Sequence, residues 1–136
     1  MTGAATPPRK FPPCPDSPNC VSSRAARDDA RHHVAALEYR GDAQQAWQAV
    51  RDVLAAWPRT VLVEAGPGSL RAECTSRLLR FTDDLELQLD ASASVIHVRS
   101  ASRIGYHDLG ANRARVERLR AQFAARLALG TGASGR

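Results

Sequence analysis

Between Asp42 and Pro58 the apolar residues recur at helical spacing. Ala43, Ala46, Trp47, Val50, Val53, Leu54 and Trp57 share one face. Asp42 caps this predicted helix, Gln45 completes a capping box, and Pro58 ends it. Before it, the stretch from Val34 to Tyr39 reads as a short strand. After it the period changes to two. Val61 and Val63 start a strand, Pro67-Gly68 turns the chain, and Leu70, Ala72 and Cys74 mark the next strand. From Leu78 to Leu89 the alternation places Leu79, Phe81, Asp83, Leu85, Leu87 and Leu89 on one face. A turn at residues 90–94 leads into a returning strand from Val95 to Ile104. A second helix starts at Asp108 or a near neighbour, with Ala111 or Asn112, Val116, Leu119, Phe123 and Leu127 as its buried stripe.

The order is strand, helix, several strands, helix. Connections of hairpin length exclude parallel crossovers. The pattern therefore predicts an α+β domain, an antiparallel sheet of four to six strands with both helices packed on one face. By order of elements alone it resembles the helix-grip folds, which bind small molecules between a sheet and a long C-terminal helix. Residues 1–30 hold most of the prolines and read as an extended N-terminal arm, residues 31–128 as the single domain, and residues 129–136 as a flexible tail.

One residue breaks the phase. Asp83 stands on the apolar face of its strand, where an ionised carboxylate is costly unless paired, and Asp84 faces the other way. In the strand after it, Ile96, Val98, Ser100, Ser102 and Ile104 share one phase, while His97, Arg99, Ala101 and Arg103 share the other. Arg99 and Arg103 then lie about 13 Å apart along one face, the phase that Arg71 and Glu73 occupy in an earlier strand. Together with Tyr106, Asp108, Asn112 and Arg113 at the predicted helix start, these residues form a dense polar block. Two readings compete for the arginines and aspartates. They brace the sheet as a salt-bridge lattice, or an arginine clamps a carboxylate or phosphate of a ligand. Asp108 and Asn112 read most simply as helix caps, and Arg113 beside them adds positive charge at a helix N-terminus.

Composition narrows the partners. Hydrophobic residues at 43% and charged residues at 24% describe an ordinary soluble globular chain. A net charge of +5 permits contact with nucleic acid or anionic membranes, but Lys10 is the sole lysine. Such a bias towards arginine and alanine reads as the mark of a GC-rich genome, so nucleic acid is not the expected partner. No window approaches the ~20 apolar residues of a membrane span. Residues 1–13 lack the apolar core of a secretory signal, which as written makes a cytoplasmic location the expectation. Cys14 and Cys20 bracket five residues. The pair forms a disulfide in an oxidising compartment and stays as free thiols in a cytosol. Their spacing exceeds that of structural zinc sites, and Cys74 reads as a small core residue.

Three segments carry a family resemblance. Cys14-Pro15-Asp16-Ser17-Pro18-Asn19-Cys20-Val21-Ser22-Ser23, Thr75-Ser76-Arg77-Leu78-Leu79-Arg80-Phe81-Thr82-Asp83-Asp84, and the block from Val98 to Arg113 resemble the signatures of the domain of unknown function 1499 family, in its order and spacing, over residues 14–127. The resemblance implies relatives in bacteria and plants, often tied to the cell envelope by a signal peptide, lipoprotein anchor or membrane helices. It implies no activity and assigns no catalytic residue. Envelope association is therefore a second expectation for location.

Catalytic signatures are absent. The chain has no nucleophile elbow, no Cys–His pairing legible in sequence and no phosphate-binding glycine loop. Asp83, Asp84, His97 and His107 have ligand types but no metal-binding spacing, His32-His33 reads as an exposed loop pair, and no cofactor is expected. The function expected is binding of a small anionic or amphipathic molecule, or of a partner, at the polar site in the groove between sheet and helices. The alternatives are a cyclase- or isomerase-like enzyme using Asp83 beside Arg99 or Arg103, and an envelope-associated structural protein. The pattern fixes no oligomeric state.

Overall fold

The computed structural model describes residues 11–78 and 80–134. Two short strands, β1 (Cys20–Ser22) and β2 (Leu37–Glu38), precede helix α1 (Ala43–Ala55). Strands β3 (Thr60–Ala65), β4 (Ser69–Thr75), β5 (Thr82–Asp90) and β6 (Val95–Ser102) follow, and helix α2 (Ala111–Ser134) comes last. The six strands form one antiparallel sheet in the order β1-β6-β5-β4-β3, with β2 pairing β6 as well. The fold is α+β, and both helices pack against the sheet.

Asp42 caps α1 as its position predicts, its carboxylate accepting from the Gln45 amide at 2.8 Å. The apolar stripe of α1 then meets that of α2 over the sheet. Val50 and Leu54 from α1, Val116, Leu119 and Phe123 from α2, and Leu85, Leu87, Ile96 and Val98 from the sheet are at most 2% exposed. Each such side chain contributes roughly 1.5–3 kcal/mol when fully buried, so this layer dominates stability. Trp57 ties the helices together, donating its indole N–H to Gln122 at 2.6 Å while the Arg118 guanidinium stacks 4.0 Å from its ring.

The pleat departs from the sequence pattern at its ends. Phe81 and Ile104 continue the apolar alternation of their strands yet stand 46% and 59% exposed. The sheet has already ended there. Ser76 and Phe81 close a loop, Ser76 N–H donating to the Phe81 carbonyl and Phe81 N–H to the Ser76 hydroxyl, and Gly105 turns the chain at a φ of +88°. Leu79, placed on the core face by its phase, lies outside the described residues. On β3 the inward residue is Leu62, whereas Val61 and Val63 face out from an edge strand with an irregular register between Leu62 and Glu64.

The N-terminal stretch joins the sheet. Val21 pairs with Ser100 and enters the core, and Cys14 and Cys20 are bridged, with Cα atoms 5.6 Å apart. Cys74 is free and buried. His32 is buried, contrary to its reading as an exposed loop residue, because both ring nitrogens find oxygens. Asp29 accepts at 2.8 Å and the Ser17 carbonyl at 2.9 Å. Burial opposes the charge on this ring, but the Ser17 carbonyl and the Asp29 carboxylate outweigh it and hold the pKa above the ordinary histidine value.

Candidate functional site

The sheet divides the polar block into two groups that do not touch the same space. On the inner face, Asn112 at the start of α2 is fully buried and acts as a hub. Its amide nitrogen donates to the Ser102 hydroxyl at 2.9 Å, the Asp108 carboxylate at 2.8 Å and the Asn19 carbonyl at 3.2 Å. Its amide oxygen accepts from the Ser100 hydroxyl at 2.6 Å and from Arg115 at 2.8 Å. Arg115 then reaches Asp83 at 2.8 Å. The out-of-phase aspartate is thus neutralised from the helix, and not by Arg99 or Arg103.

Asp108 caps α2. Its carboxylate accepts from the Gly110 and Asn112 amides at 2.8 and 3.0 Å. Burial alone would raise its pKa, but the Asn112 and Gly110 donors prevail and hold it below the usual carboxylate value. Arg113 points away from this cap. It donates to the carbonyls of His33, Ala30 and Arg31 at 2.9, 3.1 and 3.2 Å, so it pins an irregular segment instead of facing solvent as an anion site. Arg120, two turns on, does the same to Ala35 and Ala36.

The outer face carries a separate lattice. Arg103 grips Asp84 with Nε and Nη2, both at 3.0 Å, and Glu73 at 2.7 Å. Arg71 joins the same two carboxylates at 3.1 and 3.4 Å. Burial pushes the Asp84 pKa up, but Arg103 and Arg71 more than offset this and hold it low. Arg99 pairs with Glu86 at 3.1 Å and reaches the Pro13 carbonyl at 3.5 Å. Its Nε is buried with no hydrogen-bond partner among the described residues.

The candidate residues therefore separate. Asp83, Ser100, Ser102, Asp108 and Asn112 come together inside, Asp84 and Arg103 outside, Arg99 under the N-terminal stretch, and Arg113 on the 30–33 segment. Tyr106 is exposed, edge-on to His107 at 4.7 Å. The groove between sheet and helices is occupied by core side chains and by the satisfied Asn112 network. Asp83 stands on the opposite face from Arg99 and Arg103, which removes the charge pairing on which an enzyme in that groove would rely. Among the described residues no three His, Cys, Asp or Glu side chains are gathered to hold a metal.

The structure adds residues that sequence reasoning missed. Arg115 sits three positions after Asn112, on the buried stripe, and an arginine there was the available signal for a partner to Asp83. Glu86 shares the phase of Asp84, one cross-strand step from Arg99. Asn19 gave no signal, because its role depends on a turn within a proline-rich stretch.

One cleft of about 550 Å³ opens where this stretch crosses the outer face, and its lining includes Phe11, Pro13, Ser22, Arg24 and Asp29. Arg24 stands 5.6 Å from the Phe11 ring centroid and donates to Gln88 at 3.1 Å. Arg99 lies directly behind this wall, since Ser22 is its cross-strand neighbour and Pro13 its carbonyl partner.

A family model described as "Protein of unknown function (DUF1499)" matches residues 10–123. No curated protein and no solved structure matches the chain.

Proposed function

The chain belongs to the DUF1499 family, whose description assigns no activity, and we propose that it is a binding domain for a small anionic amphipathic molecule. The site is the cleft beneath the N-terminal stretch, in place of the sheet–helix groove. One observation carries this reading. The Arg99 side chain is about nine-tenths buried behind the cleft wall, yet its Nε has no acceptor among the described residues. A buried donor left unmatched costs about 1–3 kcal/mol, and a carboxylate or phosphate oxygen that enters past the Pro13 carbonyl, which Arg99 meets at only 3.5 Å, would remove that cost. Arg24 supplies a second cation, and the Phe11 ring an apolar surface for the rest of the ligand. The Cys14–Cys20 bridge beside the cleft favours an oxidising compartment and hence an envelope-side location.

Native mass spectrometry of the oxidised protein, purified from an oxidising compartment, should show a co-purified anion. Dodecanoate, as an amphipathic carboxylate, should raise the melting temperature of the wild type. At a hundredfold excess over Kd the stabilisation is about 2.7 kcal/mol. The gain should vanish in Arg24→Gln and Arg99→Met. A bare protein that dodecanoate leaves unshifted would overturn the proposal.

A further inference from the structure

One end of the sheet carries an unusual surface. The loop at residues 76–81 leaves β4 and enters β5 there, and the loop at residues 103–110 leaves β6 at the same end. Asp83 is paired with Ser102, and the Arg103 amide donates to the Thr82 carbonyl at 3.2 Å. These two loops expose Leu78, Phe81, Ile104, Tyr106 and Leu109. They contribute five of the eight large apolar side chains exposed among the described residues, with Leu78 at 87% and Leu109 at 99%. Isolated exposed leucines need no explanation, but a cluster confined to one end does.

The backbone presents these side chains under strain. Leu109 has a φ of +55° and Arg80 a φ of +57°, a region that non-glycine residues enter at a cost. Among the described residues Leu109 gains almost no burial in return. The 76–81 loop is also closed at its base by two Ser76–Phe81 hydrogen bonds.

Charge identifies the occupant. Leu78 stands between Arg77 and Arg80, both exposed, and neither forms an ion pair or hydrogen bond among the described residues. The acids at this end are already engaged, Asp83 by Arg115, Asp84 by Arg71 and Arg103, and Asp108 by the amides of α2. Asp16, on the adjoining disulfide loop, is the exposed exception. Apolar side chains that can enter an acyl boundary, ringed by free guanidinium groups that bind phosphate oxygens, suit an anionic bilayer surface. We propose that the 76–81 and 103–110 loops dock this domain on the surface of an anionic membrane, inserting Leu78, Phe81 and Leu109 while Arg77 and Arg80 bind lipid phosphates. The inference is independent of the Phe11–Arg24 cleft.

The test is co-sedimentation of the oxidised full chain with vesicles of phosphatidylcholine alone or mixed with phosphatidylglycerol. Binding should require phosphatidylglycerol and weaken with salt. Each arginine near such a surface is worth about a fivefold change in partitioning. Arg77→Gln/Arg80→Gln should therefore weaken binding by about 25-fold, and Leu78→Ser/Leu109→Ser should abolish it. Arg126→Gln, far along α2, should bind as wild type. All these sites are exposed, and unchanged thermal melts will establish that the variants fold. Equal binding to both vesicle types, or full binding by either double variant, would overturn the proposal. So would a dimer in lipid-free solution that Leu78→Ser/Leu109→Ser dissociates, because the surface would then belong to a second copy of the chain.

Discussion

Replacing Arg115 by methionine tests the central claim about the inner network. The Arg115 and Asp83 side chains are only 17% and 13% exposed, and they meet at 2.8 Å. Methionine keeps the aliphatic stem but leaves the Asp83 carboxylate without a cation among Leu85, Cys74 and the α2 stripe. Asn112 and Ser100 keep their mutual bond at 2.6 Å, so most of the loss falls on that carboxylate. Breaking one partner of a buried pair costs about 3–5 kcal/mol, a large part of the roughly 5–15 kcal/mol that holds a domain together. At roughly 4 °C per kcal/mol the melting temperature should fall by about 12–20 °C. Urea melts of Arg115→Met, Asp83→Leu and the double variant close the cycle. The double variant should return to within about 1 kcal/mol of wild type, because an apolar pair replaces an ionic one at little net cost. A loss below about 1 kcal/mol for Arg115→Met, or strictly additive losses, would refute the claim that this pair neutralises Asp83.

Arg99→Met should cost about 2 kcal/mol, since it strands the Glu86 carboxylate, whereas Arg103→Met, with its side chain 43% exposed, should barely move a denaturant melt. Asp84 and Asp108 both titrate below the usual carboxylate value when folded. Their stabilisation is complete above the ordinary aspartate pKa of 3.8 and is lost as pH falls through their folded values; Asp108→Asn should flatten that acid limb in pH-dependent melts. The histidines act in opposite directions. The pKa of His32 is raised, so its contribution is full below 6.5 and fades as pH rises, while burial and Arg24 lower that of His97, whose contribution is lost as pH falls. His32→Gln should therefore destabilise more at mildly acidic than at alkaline pH, and His97→Gln the reverse. Thiol titration of the oxidised protein should find a single cysteine, Cys74, that reacts only after unfolding.

Periodicity made the two-layer architecture legible because the buried face of each long element is continuous. The stripe from Ala46 to Leu54 and that from Val116 to Phe123 need nothing beyond 3.6 residues per turn. Element ends were less legible. Phe81 and Ile104 keep strand alternation, and only the Ser76–Phe81 closure and the Gly105 turn reveal that the sheet has stopped. Of the candidate site, the inward phase of Ser100 and the capping role of Asp108 could be read from order alone. The partners could not. The β5–β6 register keeps Asp83 on the face away from Arg99, and its meeting with Arg115 depends on which face α2 covers and how far along it lies. The Arg99 environment depends on a proline-rich stretch with no period at all.

The pairing of β1 with β6 joins segments from opposite ends of the sequence and sets an order of assembly. Hairpins β3–β4, β4–β5 and β5–β6 close over short loops, but β1 has no edge to join until β6 is in place. Until then β6 presents an open edge bearing Val98 and Ser100, the kind of surface on which growing chains stick to one another. Asn112 reaches the Asn19 carbonyl only when both ends have arrived, so the helix start latches the strand that seals the sheet. Substitutions at Asn112 should therefore lower the yield of refolding at high protein concentration more than their effect on equilibrium stability alone would suggest.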